Sequence, residues 1–136
     1  MEREIKFRGK TINGNEWIYG PTISQGTIKR KANKWFMEVA ENKWKGLQPN
    51  TLGQYTGLKD KNGKEIYEGD IIRSFDSNDD AILHYIVWEE ARFVALYKGR
   101  NFSSKCFLKQ DWLDEFDKEV IGNIHDNPEL LKYGRD

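Results

Sequence analysis

Apolar residues in this chain recur mostly in short runs with a period of two, broken every few residues by Asn, Gly, Asp or Pro. Phe7 through Ile12 and Glu16 through Ile23 flank Asn13-Gly14-Asn15 and predict a first hairpin. Thr27 to Arg30 and Trp35 to Val39 bracket residues 31–34 as a second. Gln48-Pro49-Asn50 is a break, because Pro pushes the residue before it away from helix. A third hairpin should turn at Asn62-Gly63, between Tyr55 and Leu58 on one side and Ile66 and Tyr67 on the other. Both turn residues tolerate the positive φ that a two-residue type I′ turn needs. Gly69-Asp70 then leads into Ile71, Ile72 and Phe75, and the polar cluster Asp76-Ser77-Asn78-Asp79-Asp80 closes that strand.

Residues 82–88 depart from simple alternation. Ile82, Ile86 and Trp88 fall on one face and Leu83, Tyr85 and Val87 on the other, which predicts a strand covered on both sides. The second face, Leu83, Tyr85 and Val87, is therefore a candidate subunit interface. Phe93 to Tyr97 extends the sheet. Leu108, Trp112 and Phe116 recur every four residues and predict a short helix over 108–116. Val120 to Ile124 is a last strand, and Asn127-Pro128-Glu129 has the form of a helix start. Close-spaced strands without strand–helix–strand alternation predict a mainly β fold, α+β at the margin. The expected architecture is antiparallel hairpins, a small β-barrel-like C-terminal part and one or two short helices. The expected division is a hairpin-rich part at residues 1–51 and the small-barrel part at 52–136, with one continuous domain as the alternative.

The stretch LGQYTGLKDKNGKEIYEGDII (52–72), with VIGNIHDNPELL (120–131) and an opening IKFRGK followed by EWIYG, resembles the YopX family of phage and prophage proteins. The resemblance leaves residues 26–46 and 76–117 unanchored. It implies a phage-derived accessory protein in the host cytoplasm and brings no residue-level activity with it.

Composition supports a packed domain. Five Trp, six Tyr and seven Phe in 136 residues supply a core, despite 32% charged side chains. No apolar run reaches the length of a membrane span, and the N-terminus lacks a signal-peptide core. A single cysteine, Cys106, excludes an intrachain disulfide and fits a reducing compartment. The zero net charge hides an asymmetry: residues 1–64 carry thirteen Lys/Arg against six Asp/Glu, and residues 65–136 carry nine against sixteen. Such a split suits either a polyanion-binding surface or a self-complementary one, and a homo-oligomer with a head-to-tail contact is expected.

Candidate chemistry thins out on inspection. Gly57 to Glu65 imitates a phosphate loop, but five residues separate its glycines and Glu65 replaces the Mg²⁺-binding hydroxyl. Asp76, Asn78 and Asp80 have calcium-loop spacing, but Ala81 and Val87 stand where that loop needs Gly and Glu. His84 or His125 with Cys106 could pair a base with a nucleophile, yet no oxyanion motif accompanies Cys106. Asp114, Glu115, Asp117 and Glu119 read as a charged outer face. No catalytic residue, metal or cofactor is expected. Lys29, Arg30, Lys31 and Lys34 with Trp35 and Trp44 could track phosphate and stack on bases. Lysines on a strand edge account for the same pattern. An interaction or assembly module with a phage or host protein, or with itself, therefore ranks ahead of a nucleic-acid-binding module, and an enzyme third.

Overall fold

The computed structural model describes residues 4–26, 34–98 and 103–131. The chain forms two compact units, Met1–Tyr55 and Thr56–Asp136. Strands are antiparallel in both, as the pattern requires.

In the first unit, β1 (Phe7–Lys10) pairs with β2 (Trp17–Gly20), and Gly14 and Asn15 take left-handed φ in the turn. Thr11 ties this turn together: its Oγ1 donates to the Asn13 carbonyl and accepts from the Glu16 N–H. The apolar run expected to continue to Ile23 breaks at Gly20, because Pro21 has no N–H to donate to a ladder. A separate sheet follows in the order β3 (Ile23–Gly26), β4 (Lys34–Ala40), β5 (Lys43–Leu47). The first arm of the second predicted hairpin, residues 27–30, lies outside the described residues, whereas Trp35 to Val39 falls within β4. A one-turn 3-10 segment, Pro49–Thr51, begins where the proline predicted a break. The Thr51 hydroxyl accepts from the Lys10 N–H at 2.8 Å and binds the segment to β1. Met37 and Leu47 are fully buried. Strand β6 (Gly53–Lys59) starts here, pairing Gly53 and Gln54 with β1.

The second unit carries the end of β6, then β7 (Glu65–Tyr67), β8 (Asp70–Phe75), β9 (Ala81–Glu89), β10 (Arg92–Lys98), β11 (Ser103–Phe107), helix α1 (Gln110–Leu113) and β12 (Glu119–Asn123). Five of these strands form one sheet in the order β11-β10-β9-β8-β12. The sheet stays open: among the described residues its edge strands, β11 and β12, do not pair with each other, so the barrel expected for this part is not formed. Its core is Ile66, Ile72, Ile86, Ala95 and Leu113, with Trp112 and Cys106 packed against it.

Local geometry corrects three further expectations. The Asn62-Gly63 turn is not type I′, since only Gly63 has positive φ (79°). Asp60 donates its N–H to the Lys64 carbonyl and accepts the Gly63 N–H at its own, which is a type I turn with a glycine bulge. The type I′ turn stands instead at Glu90-Ala91, between β9 and β10, where both residues have positive φ (51° and 63°). That conformation crowds Cβ against the backbone by about 1–2 kcal/mol per residue. Ala91→Gly should therefore stabilise the protein by about 1 kcal/mol. A urea midpoint that fails to rise would show that the turn carries no such strain. Helix α1 is shorter than residues 108–116: it covers Gln110–Leu113 and gives way to a turn in which Phe116 and Asp117 take left-handed φ (56° and 51°).

Finally, the helix start expected at Pro128 is there as a 3-10 helix of one turn, Pro128–Leu131, and the Asn127 side chain turns back from it, its Oδ1 accepting from the Asn123 N–H. Gly122 makes room for it, because a Cβ there would lie 2.3 Å from Asn127 Oδ1.

Candidate interaction surface

The β9–β10 hairpin and the neighbouring β11 set out large exposed apolar side chains in the second unit. Trp88 and Phe93 stand opposite each other across the two strands, their rings 4.8 Å apart and edge to face. Trp88 is 51% exposed and Phe107, on the neighbouring β11, is 54% exposed. Cross-strand position puts Phe107 beside Val94, and the Arg92 guanidinium lies over the Phe107 ring at 4.3 Å. Beside Phe107 opens a groove of about 270 Å³, lined by Leu58, Phe93, Phe107 and Leu108 and by the cations Arg92 and Lys109. An apolar floor with two positive groups suits a group that is itself apolar and carries or adjoins negative charge.

A second exposed feature follows α1. Phe116 is 70% exposed, and Asp114, Glu115 and Asp117 around it are exposed too. A bulky residue in the left-handed region is uncommon. Lys118 supports the loop: it is buried, donates to the Glu115 carbonyl at 2.7 Å, and lies 4.5 Å from the Trp112 ring centre and 5.4 Å from that of Phe116. Desolvation lowers its pKa, against the attraction of Glu115 and Cys106.

Residues that the sequence singled out are dispersed by the fold. His84 is buried, edge-on to Trp112 at 5.0 Å, with no hydrogen-bond partner for Nδ1. Burial first, and the Lys118 charge second, push its pKa down to about 4. Cys106 is half-buried against the core. Of the acidic group, Glu119 pairs with Arg73, Asp117 with Lys61 at 3.6 Å, and Asp114 accepts from Gln110. The calcium-like spacing of Asp76, Asn78 and Asp80 is a turn: Asp76 Oδ1 accepts the N–H groups of Asn78 and Asp80.

The proposed interface face, Leu83, Tyr85 and Val87, is already half-buried, and its cross-strand neighbours Ile71 and Val94 are fully buried. In the first unit, Lys29, Arg30 and Lys31 lie outside the described residues. Register places Trp35 opposite Leu47 and Trp44 opposite Glu38, on opposite faces of the β4–β5 hairpin. Lys34, on β4, shares the Trp44 face. Trp44 is 44% exposed between the exposed Lys43 and Lys45.

Neither Phe116 nor Arg92 stands out as a site residue in the sequence. The spacing of Phe116 suits a helix face, although acidic neighbours on both sides (Asp-Glu-Phe-Asp) mark it as solvent-facing. Arg92 has no motif around it, since only the fold brings it over Phe107.

The comparisons agree with this architecture. The crystal structure of protein EF1440 from Enterococcus faecalis is similar, with a TM-score of 0.60 and 26% identity over 96% of this chain and 100% of that one. No curated protein matches. Among the described residues, no helix is long and apolar enough to cross a membrane. The family model for YopX protein matches residues 6–132, running through both stretches that carried no visible resemblance. The chain belongs to the YopX family.

Proposed function

We propose that this chain is a phage- or prophage-encoded accessory protein that works by binding another protein surface, not by catalysis. The open apolar groove lined by Leu58, Phe93, Phe107 and Leu108, with Phe107 54% exposed at it, carries this reading, because exposed apolar patches of this kind are binding surfaces. Aromatic and Arg side chains are also the residues that dominate binding energy where proteins meet. The host cytoplasm is the compartment that a phage-derived protein with a lone thiol would occupy. In clarified extract of cells that naturally carry the gene, the protein should sediment faster than a monomer. A Phe107→Ser variant should sediment as a monomer. Wild type sedimenting as a monomer there would overturn the reading.

One observation favours a second reading, nucleic-acid binding: Trp44 is exposed between Lys43 and Lys45, an arrangement able to stack on a base while two cations meet phosphate. On this reading single-stranded DNA binds at low salt, and log K falls with log salt by about 0.7 per phosphate contacted. Reversing Lys43 and Lys45 to Glu should then flatten the slope by about one to two contacts. No binding at low salt removes this alternative.

A further inference from the structure

The second unit holds two features that match each other and that one chain cannot satisfy with water alone. One is a projecting ring, Phe116, held 70% exposed in a left-handed turn and set among Asp114, Glu115 and Asp117. The other is a groove of about 270 Å³ with Leu58, Phe93, Phe107 and Leu108 in its lining and two cations, Arg92 and Lys109, beside them. Benzene needs a site of roughly 150 Å³, so the open groove is large enough to receive a phenyl ring. Charge also matches: carboxylates flank the ring, and cations flank the groove.

Building on the interaction-module reading, we propose that the occupant of this groove is a second copy of this chain, which inserts Phe116 between Phe93 and Leu108 while its Asp114 and Glu115 meet Arg92 and Lys109. The backbone supports such a role. Phe116 and Asp117 both hold a conformation that costs about 1–2 kcal/mol per residue for L-amino acids, and a buried Lys118 under the ring fixes the loop in place. Strain of this kind collects where a side chain must be presented to a partner. Plug and groove are different patches, so each contact is heterologous, and the assembly closes into a ring when the rotation from copy to copy permits. Apolar insertion supplies the affinity, and the charge pairs supply orientation and encounter rate. The Leu83–Val87 face is less suited, since it is half-buried within the chain.

Analytical ultracentrifugation of the purified protein tests this, over a concentration series from about 1 μM to 1 mM, the span over which weak protein contacts form. Wild type should self-associate, and Phe116→Ala should weaken the association by about a hundredfold, roughly 2.7 kcal/mol at tenfold per 1.4 kcal/mol. Arg92→Glu should weaken it too, while leaving the fold intact because Arg92 is exposed. The decisive step mixes the two variants. Phe116→Ala keeps the groove and Arg92→Glu keeps the phenyl ring, so the mixture should associate more tightly than either variant alone. A wild type that stays monomeric throughout overturns the proposal, and so does self-association that survives Phe116→Ala. Neither result touches the broader reading, which falls only if the protein is also a monomer in native extract.

Discussion

Asp60→Ala should cost about 3 kcal/mol of stability, which for a chain of this size lowers the melting temperature by about 10 °C. The residue is buried, and its carboxylate accepts three backbone N–H groups: Asn62 at 2.8 Å and Lys64 at 2.9 Å on Oδ1, and Val120 at 2.9 Å on Oδ2. The first two close the β6–β7 turn. The third reaches sixty residues along the chain to the start of β12, so one side chain joins the central hairpin to the closing strand. A hydrogen bond to a charged acceptor contributes about 1.5–3 kcal/mol, and a deleted acceptor leaves its buried donor unpaired. Water can replace the carboxylate at the exposed Asn62 and Lys64, but less readily at the half-buried Val120. Asp76 offers an internal control. It makes the same turn, accepting from Asn78 at 2.8 Å and Asp80 at 3.0 Å, with no third partner among its described bonds. Asp76→Ala should therefore cost about 1 kcal/mol, and the difference between the two variants measures the clasp on Val120. Equal losses from thermal or urea unfolding would show that the Val120 bond adds nothing.

The pair of turns also shows where sequence reasoning reached and where it stopped. Asp-x-Asn-x-x occurs twice, in Asp60–Lys64 and in Asp76–Asp80, and the structure turns both in the same way. The spacing was visible; calcium ligation and a type I′ turn competed for it, and the Asx side chain bonding its own backbone won both times. Elements were legible because period-two runs cannot bury one face in any other way. The type I′ turn at Glu90-Ala91 was not, since nothing in those two residue types favours positive φ; the packing of β9 on β10 imposes it. Closure was not legible either. Strand count and order are similar for an open sheet and a small barrel, and what separates them is a pairing between β11 and β12 that no local pattern encodes. Of the site, the chain showed its aromatics and charges but not their partners: Trp35 and Trp44 looked like neighbours in one basic patch, and the register of a single hairpin put them on opposite faces.

Acid should destabilise the protein through His84, and the effect should vanish when that residue is replaced. The imidazole is buried against Trp112 and Tyr97, with Nδ1 unpartnered and the Lys118 ammonium in the same region. Burial and that charge lower its pKa from 6.5 to about 4, so the native protein holds it neutral across the physiological range. Above pH 6.5 the group is neutral in folded and unfolded chains alike and adds no pH dependence. Between 6.5 and 4 the unfolded chain takes up a proton that the native one refuses, so stability falls as pH falls. By pH 4.5 the loss from this one site is about 2.5 kcal/mol, at 1.36 kcal/mol per pKa unit. Carboxylates titrate over part of the same range, so the measurement is a difference between wild type and His84→Phe, which keeps a ring beside Trp112 and has no proton to bind. At pH 7.5 the two should agree to within about 1 kcal/mol, as shape-conserving core replacements do. At pH 4.5 the variant should be the more stable by about 2.5 kcal/mol relative to that baseline. Urea unfolding at half-unit intervals from pH 7.5 to 4.5 would trace the divergence, and curves that stay parallel would mean that native His84 takes up its proton as readily as the unfolded chain does.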